Sequence, residues 1–258
     1  MRIIDQSKAS RLACVKDSSG DGPLPFPVAV EHGIDVLIND RPAMHLTCTP
    51  EHLDELVVGR LFTEGMVRGL EDILLIHICD QGLRAKVMLT PEAAERLEAA
   101  ETAEVSTCCT DNRTLLAASD TSLAAVRPIP WEPAWLSAAA DGLRSHQPLY
   151  HETHAVHAAC LMRRDRMLCC REDLGRHNAL DKVIGWALLA GEAPEECLLY
   201  CTGRLPVDML RKAIRAGVPV LASKTYPTDQ ALLLAERTGL TMVTLRSDGT
   251  QVVWNGKG

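Results

Sequence analysis

Residues 169–185 read CCREDLGRHNALDKVIG, and they join an apolar, strand-like run to an amphipathic helix. Leu180, Val183, Ile184 and Leu188 recur at the spacing of one helical face, which predicts that this face is buried. Unpaired N–H groups at a helix N-terminus favour anions, so the junction is a candidate ligand site. A helix start held by ion pairs is the alternative. The ionisable side chains gathered here are Glu172, Asp173, Arg176, His177, Asp181 and Lys182.

Around this junction, strand-like and helical segments alternate along the second half of the chain. Apolar runs at 154–162, 197–203, 218–223 and 240–246 are separated by helical patterns at 178–191, 207–217 and 229–239. Strands that alternate with helices of about ten residues or more indicate a parallel or mixed sheet with helices on its faces. The sequence therefore predicts the α/β class for this half.

Two loops in this half follow apolar strands and precede helices. Residues 201–204 read CTGR and residues 223–228 read SKTYPT. Open α/β sheets bind ligands at the carboxyl ends of their strands, so these loops are expected beside the charged junction. Arg204 and Ser223 offer a cation and a hydroxyl suited to phosphate. Either loop alone is weak evidence, but together with residues 169–185 they predict an anion-binding edge.

The first half is predicted to be a smaller α+β unit. Asn39-Asp40 and Gln81-Gly82 are turn signals between apolar runs, and each predicts a hairpin. Residues 49–65 read as a helix capped by Thr49 with Pro50 at its first position. Three prolines within residues 126–133 mark a boundary. The resulting units are a flexible arm (1–25), an α+β domain (26–104), a connecting loop (105–130) and an α/β domain (131–258).

Composition limits the classes of function. The 258 residues carry 27 Lys and Arg against 34 Asp and Glu, a net charge of −7. That balance argues against nucleic acid as a partner, because nucleic-acid binders show a basic face. No apolar run approaches the roughly 18 residues of a membrane span, and the N-terminus lacks the apolar core of a signal peptide. We therefore expect a cytoplasmic protein without a membrane partner, in which the ten cysteines stay reduced.

Residues 105–113, VSTCCTDNR, place Cys108 and Cys109 side by side in a polar segment. An accessible thiolate near a cation is a nucleophile, which makes this pair a candidate for covalent chemistry. Incidental cysteines in a connection are the alternative. A zinc site is disfavoured because no Cys-x-x-Cys occurs here. His151, His154 and His157 would alternate between the faces of a strand, so they are not expected to bind one metal.

The stretches at 172–185, 202–223 and 225–236 resemble those of the FdhD family, the accessory sulfurtransferases of formate dehydrogenase. The resemblance extends over roughly residues 27–255. It implies a cytidine-deaminase-like, three-layer C-terminal domain with a mixed sheet, a smaller α+β N-terminal domain and a homodimer. It also implies sulfur relay: a cysteine desulfurase loads a persulfide, and the sulfur passes to the bis-guanine-dinucleotide molybdenum cofactor of formate dehydrogenase.

The resemblance assigns the persulfide to Cys109 or, with a shift of one residue, to Cys108. Asn112 stands where the family's second motif cysteine would be, and Asp248 adds a negative charge to the expected cofactor turn. GDP-like nucleotides are expected to mimic the cofactor. No metal site is expected, since the zinc motifs of deaminases are absent. The residues expected to bind the cofactor are Arg176, His177, Lys182, Arg204, Ser223, Leu245, Arg246, Ser247, Asp248, Gly249 and Thr250.

Two other functions stay open on the sequence. A chaperone that holds the cofactor without transferring sulfur would need neither cysteine. A hydrolase of the deaminase type would need bound zinc.

Overall fold

The computed structural model describes residues 9–16, 23–99, 102–106, 113–117 and 123–255. The first part of the chain forms β1 (Ser10–Lys16), β2 (Pro23–Ala29), β3 (His32–Ile38), β4 (Arg41–Cys48), α1 (Leu53–Thr63), a 3₁₀ turn (Leu70–Asp72), β5 (Ile73–Ile78), β6 (Arg84–Leu89), α2 (Pro91–Ala99), β7 (Thr102–Ser106) and β8 (Arg113–Ala117). The second part forms α3 (Pro133–Ser145), α4 (Pro148–Thr153), β9 (His157–Arg163), β10 (Arg166–Asp173), α5 (Arg176–Ala190), a 3₁₀ turn (Pro194–Glu196), β11 (Leu198–Cys201), α6 (Val207–Arg215), β12 (Val220–Ser223), α7 (Asp229–Thr238), β13 (Thr241–Leu245) and β14 (Gln251–Asn255).

The first part is built on a six-stranded sheet of order β5-β6-β3-β4-β8-β7. Asn39 and Asp40 both adopt left-handed backbone conformations, with φ of 48° and 61°, between β3 and β4. Such a pair is typical of the tight turns that match the twist of a hairpin, and it confirms the predicted turn. The apolar face of the sheet is buried against α1, with Ile34, Leu46 and Leu56 fully enclosed.

Three predictions for this part are corrected. Residues 10–16 form β1, which pairs with β2, where a flexible arm was predicted for residues 1–25. Residues 102–106 and 113–117 are strands of the first sheet, so part of the predicted connecting loop belongs to the N-terminal unit. Helix α1 begins at Leu53 after His52, whose φ is 55°, and Thr49 does not cap it. Thr49 instead donates to Asp173, a partner 124 residues away that local spacing does not reveal.

The second part is built on a six-stranded sheet of order β10-β9-β11-β12-β13-β14. β11, β12 and β13 run parallel to one another and the other pairings are antiparallel, which confirms the predicted mixed sheet. Helices α5, α6 and α7 cover one face, and α3 covers the other. This part therefore has three layers. Its specific likeness to cytidine deaminases stays a prediction.

Helices α3 and α4 lie where no helix was predicted from the sequence. α4 contains His151, and His154 follows it in a left-handed conformation, with φ of 53°. The strand predicted from residue 154 begins only at His157. The three histidines therefore lie on different elements and not on one strand.

The two parts meet where α1 packs against α5. A Cβ atom added at Gly59 would lie 1.8 Å from the carbonyl oxygen of Asp181, and one at Gly185 would lie 1.9 Å from that of Glu55. Only glycine lets the two helix backbones approach this closely. Arg171 on β10 adds a two-bond ion pair to Glu55, with N–O distances of 2.5 and 2.7 Å. None of the described helices is both long and apolar enough to cross a membrane.

Candidate functional site

A cavity of about 670 Å³ lies at the carboxyl ends of β11, β12 and β13. Its floor is the end of the parallel strands, and its wall comes from α3 and α4. This is the edge at which α/β sheets bind ligands. The lining residues are Ser137, Ala140, Asp141, Leu143, Arg144, Gln147, Tyr150, Tyr200, Thr202, Lys224, Leu245, Arg246, Ser247 and Gly249.

Hydrogen bonds tie together the loops that follow β11 and β12. The Ser223 hydroxyl donates to the carbonyl of Gly203 at 2.6 Å and accepts from the amide of Thr225 at 3.1 Å. Thr225 also donates to Gly203 at 2.9 Å, and Thr244 on β13 donates to the carbonyl of Thr225. Ser223 is fully buried, so it holds the loops in place and is not positioned to touch a ligand.

The wall formed by α4 is fixed by Glu172. Its carboxylate accepts hydrogen bonds from the backbone amides of Leu149 and Tyr150, at 3.0 and 2.8 Å. These are two of the amides left unpaired in the first turn of a helix. Burial raises the pKa of Glu172, although the two amides favour its charged form. Glu172, identified from sequence as part of the charged junction, therefore positions the neighbouring cavity residues.

Positive charge is concentrated beside the cavity. Lys224, Arg246 and Arg144 line it with exposed side chains. His157 lies within 3.3 Å of the Thr202 hydroxyl, and its pKa is lowered by burial and by the nearby charges of Arg176 and Lys224. Arg144 forms an ion pair with Asp141 on the same helix. An anionic ligand is therefore attracted mainly to Lys224 and to Arg246, whose own pairing with Asp248 is looser, at 3.6 Å.

The predicted turn at 245–250 lies at this cavity. Leu245, Arg246, Ser247 and Gly249 line it, whereas Asp248 and Thr250 do not. The Asp248 carboxylate accepts from the Thr250 amide and lies 3.6 Å from the Arg246 guanidinium. Asp248 thus partly offsets the charge of Arg246, as the sequence suggested.

The other predicted cofactor residues are outside the cavity lining. Arg204 is exposed, and Arg176 packs against Gly203, where an added Cβ would lie 2.7 Å from its side chain. His177 is buried and bonds Asp208 at 2.8 Å. Burial would raise the pKa of Asp208, but the hydrogen bond and charge of His177, together with the Met209 amide and the charge of Arg176, outweigh it and hold that pKa at about 2. His177 therefore anchors α6 to the start of α5.

Lys182 is fully buried between the two parts of the chain, so its assignment to the cofactor site is corrected. Its ammonium group lies 2.6 Å from Asp173 and donates to the Thr49 hydroxyl at 2.7 Å. An unpaired buried charge would be costly, and the Asp173 carboxylate and the Thr49 hydroxyl offset much of that cost. Lys182 therefore holds the two parts together and does not face a ligand.

Lys182 is connected to a buried ionic network that spans α1, α5 and α6, because Asn178 bonds both Asp173 and Arg60. Arg60 lies 2.8 Å from Asp181, and Lys212 lies 2.6 Å from Glu64 and 3.0 Å from Asp181. Burial alone would raise the pKa of Glu64, but Lys212 and Arg60 lower it to about 2. Sequence patterns did not predict roles for Arg60, Glu64 and Lys212. Their only local signal is the four-residue spacing of Arg60 and Glu64 on a helix.

The candidate nucleophiles Cys108 and Cys109 lie outside the described residues. The strands on either side are β7, which ends at Ser106, and β8, which begins at Arg113 opposite His45 of β4. β8 is antiparallel to β4, so its start faces the carboxyl end of β4. Thr49 follows that end and donates its amide to Asp173 of the second part. The strands that flank the two cysteines therefore meet the segment at the side of the first sheet where Thr49 contacts Asp173.

Most of the described cysteines are poorly suited to act as nucleophiles. Burial raises the pKa of Cys169 and Cys170 to about 12, and that of Cys197 and Cys201 to about 11. A thiol acts through its thiolate, which these pKa values make scarce at neutral pH. Within the described part of the chain, no group of three His, Cys, Asp or Glu residues could hold a metal ion.

Comparisons with known proteins agree along nearly the whole chain. The model of the FdhD/NarQ family matches residues 29–258. A Listeria monocytogenes protein named sulfur carrier protein FdhD is 31% identical over 220 residues, covering 84% of each chain. A Mycobacterium tuberculosis protein of the same name is 34% identical over 247 residues, covering 88% of this chain and 90% of the relative.

A solved structure also matches this chain in its fold. A Desulfotalea psychrophila protein, described as a formate dehydrogenase accessory protein, matches with a TM-score of 0.75 and 28% identity, covering 96% of both chains. The fold, the family model and the relatives agree, and the chain belongs to the FdhD/NarQ family.

Proposed function

We propose that this protein is a sulfur carrier that serves formate dehydrogenase, with Cys109, or Cys108, carrying the sulfur as a persulfide. The observation that carries the proposal is the match, over 84% or more of the chain, to relatives named sulfur carrier protein FdhD. The raised pKa values of Cys169, Cys170, Cys197 and Cys201 support it, because they leave few alternative nucleophiles.

The proposed loading step is a thiol–persulfide exchange. The carrier thiolate attacks the terminal sulfur of a persulfide on a cysteine desulfurase. The sulfur–sulfur bond of the donor breaks, the donor cysteine leaves as a thiolate, and the carrier becomes the persulfide. One thiolate is enough for this exchange, so Asn112 in the second motif position is compatible with it.

The proposed recipient is the bis-guanine-dinucleotide molybdenum cofactor, bound as cargo at the cavity. The volume of about 670 Å³ lies within the usual range of ligand sites, roughly 300–1,000 Å³. Lys224 and Arg246 supply positive charge for phosphate. GDP, which reproduces one end of the cofactor, is the corresponding test ligand. A cytoplasmic homodimer that delivers the cofactor to formate dehydrogenase completes the proposal.

Complementation separates this function from that of a chaperone without sulfur transfer. We expect a Cys108→Ala, Cys109→Ala double variant to leave formate dehydrogenase inactive in a strain that lacks its own carrier, while a Cys169→Ala, Cys170→Ala control restores activity. Full activity with the first double variant, at equal protein levels, would favour the chaperone.

A further inference from the structure

Two nearly buried polar side chains line the cavity without a protein partner. Gln147 is 5% exposed and Tyr200 is 4% exposed. Among the described residues, neither the side-chain amide of Gln147 nor the phenol of Tyr200 makes a hydrogen bond to the protein. Because their polar atoms are not fully enclosed, they open onto the cavity, where a ligand can complete the hydrogen bonds that buried polar groups nearly always make.

Both side chains are held in place. Tyr200 is on β11 and packs in the apolar layer beneath α3. Gln147 directly precedes α4, whose Pro148 occupies the first helical position, and Glu172 fixes that helix start. A side chain held by its surroundings loses little conformational entropy on binding.

The two groups offer neutral hydrogen bonds. Burial raises the pKa of Tyr200 to about 12, with a smaller contribution from Cys201 and Cys160, so its phenol keeps its proton at neutral pH. The Gln147 amide presents a donor and an acceptor side by side. The cationic side chains lie farther out than these two groups, because Lys224, Arg246 and Arg144 are exposed. The site therefore has a neutral, hydrogen-bonding inner part and a positively charged opening.

We infer that Gln147 and Tyr200 are specificity-determining residues, which bind the edge of the guanine base while Lys224 and Arg246 bind its phosphates. The adjacent carbonyl and N–H of guanine match the paired donor and acceptor of the Gln147 amide. The same carbonyl can accept from the protonated Tyr200 phenol, where adenine presents an amino group that does not accept. This inference rests on the proposed function and adds to it the residues that recognise the base.

The test is calorimetric titration of the full-length protein with GDP and with ADP. We expect the wild-type protein to bind GDP more tightly than ADP. Tyr200→Phe removes one oxygen and Gln147→Met removes the amide at similar volume. Each is expected to weaken GDP binding about tenfold, which corresponds to about 1.4 kcal/mol, and to leave ADP binding within about twofold.

The matched controls are Tyr226→Phe and Gln230→Met, whose side chains are exposed and do not line the cavity. Both should bind GDP as the wild type does. Unchanged GDP affinity in Tyr200→Phe and Gln147→Met would overturn the inference while leaving nucleotide binding in place. No binding of GDP to the wild type would overturn both the inference and the cavity's role, without affecting the complementation test of the cysteines.

Discussion

At the scale of single residues, the charged junction at 169–185 has two roles. Arg176 lies near the candidate site, whereas Asp173, Asp181 and Lys182 are buried partners of residues on other elements. The sequence identified the cluster because its members are close along the chain. It could not separate the two roles, because Thr49 and Arg60, which pair with this cluster, lie more than a hundred residues away.

Removing one partner from the buried network should be strongly destabilising. Lys182→Met leaves the Asp173 carboxylate buried without its cation, and we expect a loss of roughly 3–5 kcal/mol in the free energy of unfolding. Urea denaturation followed by circular dichroism measures this loss. The control is Lys86→Met, whose partner Asp40 is exposed, and it should cost less than about 1 kcal/mol. Equal, small losses in both variants would contradict the assigned role.

At the scale of elements, the sequence predicted the helices, strands and turns whose signals are local. The turn residues Asn39 and Asp40 identified a hairpin, and the alternation of strands with helices identified the mixed sheet. Helix α4 has only six residues, too few for apolar periodicity to show. Helix α3 does carry signals, namely Pro133 at its start and Leu136, Ala139 and Leu143 on its buried face.

The close contact of α1 with α5 predicts an unusual response to alanine. Alanine normally stabilises a helix relative to glycine, by up to about 1 kcal/mol. In Gly59→Ala the new Cβ would lie 1.8 Å from a backbone oxygen that has little freedom to move, so we expect a loss of about 3 kcal/mol or more.

Gly142→Ala in α3 is the matched control for this measurement. Its Cβ would lie 2.6 Å from the terminal methyl of Met167, which is the end of a flexible side chain. Its stability should change by less than about 1 kcal/mol. Thermal unfolding of both variants tests the contact, and a stabilised Gly59→Ala would refute it.

At the scale of the whole molecule, the buried network makes stability sensitive to acid. The pKa of Glu64 is lowered from its ordinary 4.5 to about 2 in the folded protein. A carboxylate with a lowered pKa contributes stability above its unfolded pKa, and this contribution is lost as the pH falls through the folded value. The free energy of unfolding should therefore decrease between about pH 4.5 and pH 2.

Glu64→Gln should make this decrease shallower, since the variant cannot take up the proton. The comparison is made by urea denaturation at a series of pH values. Glu98→Gln is the control, because Glu98 forms an exposed ion pair with Arg41 and should leave the acid slope nearly unchanged. The same slope in wild type and Glu64→Gln would contradict the role of Glu64.

Each part of the molecule contributes a different feature to the proposed function. The strands that flank the cysteines belong to the first sheet, and the cavity belongs to the second. From His45, opposite the start of β8, the chain runs about 13 Å along β4 to Thr49, at roughly 3.3 Å per residue. Thr49 bonds Asp173 at the end of β10. The tight contact between α1 and α5 thus fixes the position of β7 and β8, the strands on either side of the cysteines, relative to the cavity.

The most direct test of sulfur carriage is peptide mass spectrometry after incubation with a cysteine desulfurase and free cysteine. We expect a mass increase of one sulfur atom on the peptide that contains Cys108 and Cys109, lost in Cys109→Ala or, if Cys108 is the carrier, in Cys108→Ala. The Cys169→Ser, Cys170→Ser variant should load like the wild type. A persulfide that persists in the Cys108→Ala, Cys109→Ala double variant would contradict the assignment of sulfur carriage to these two cysteines.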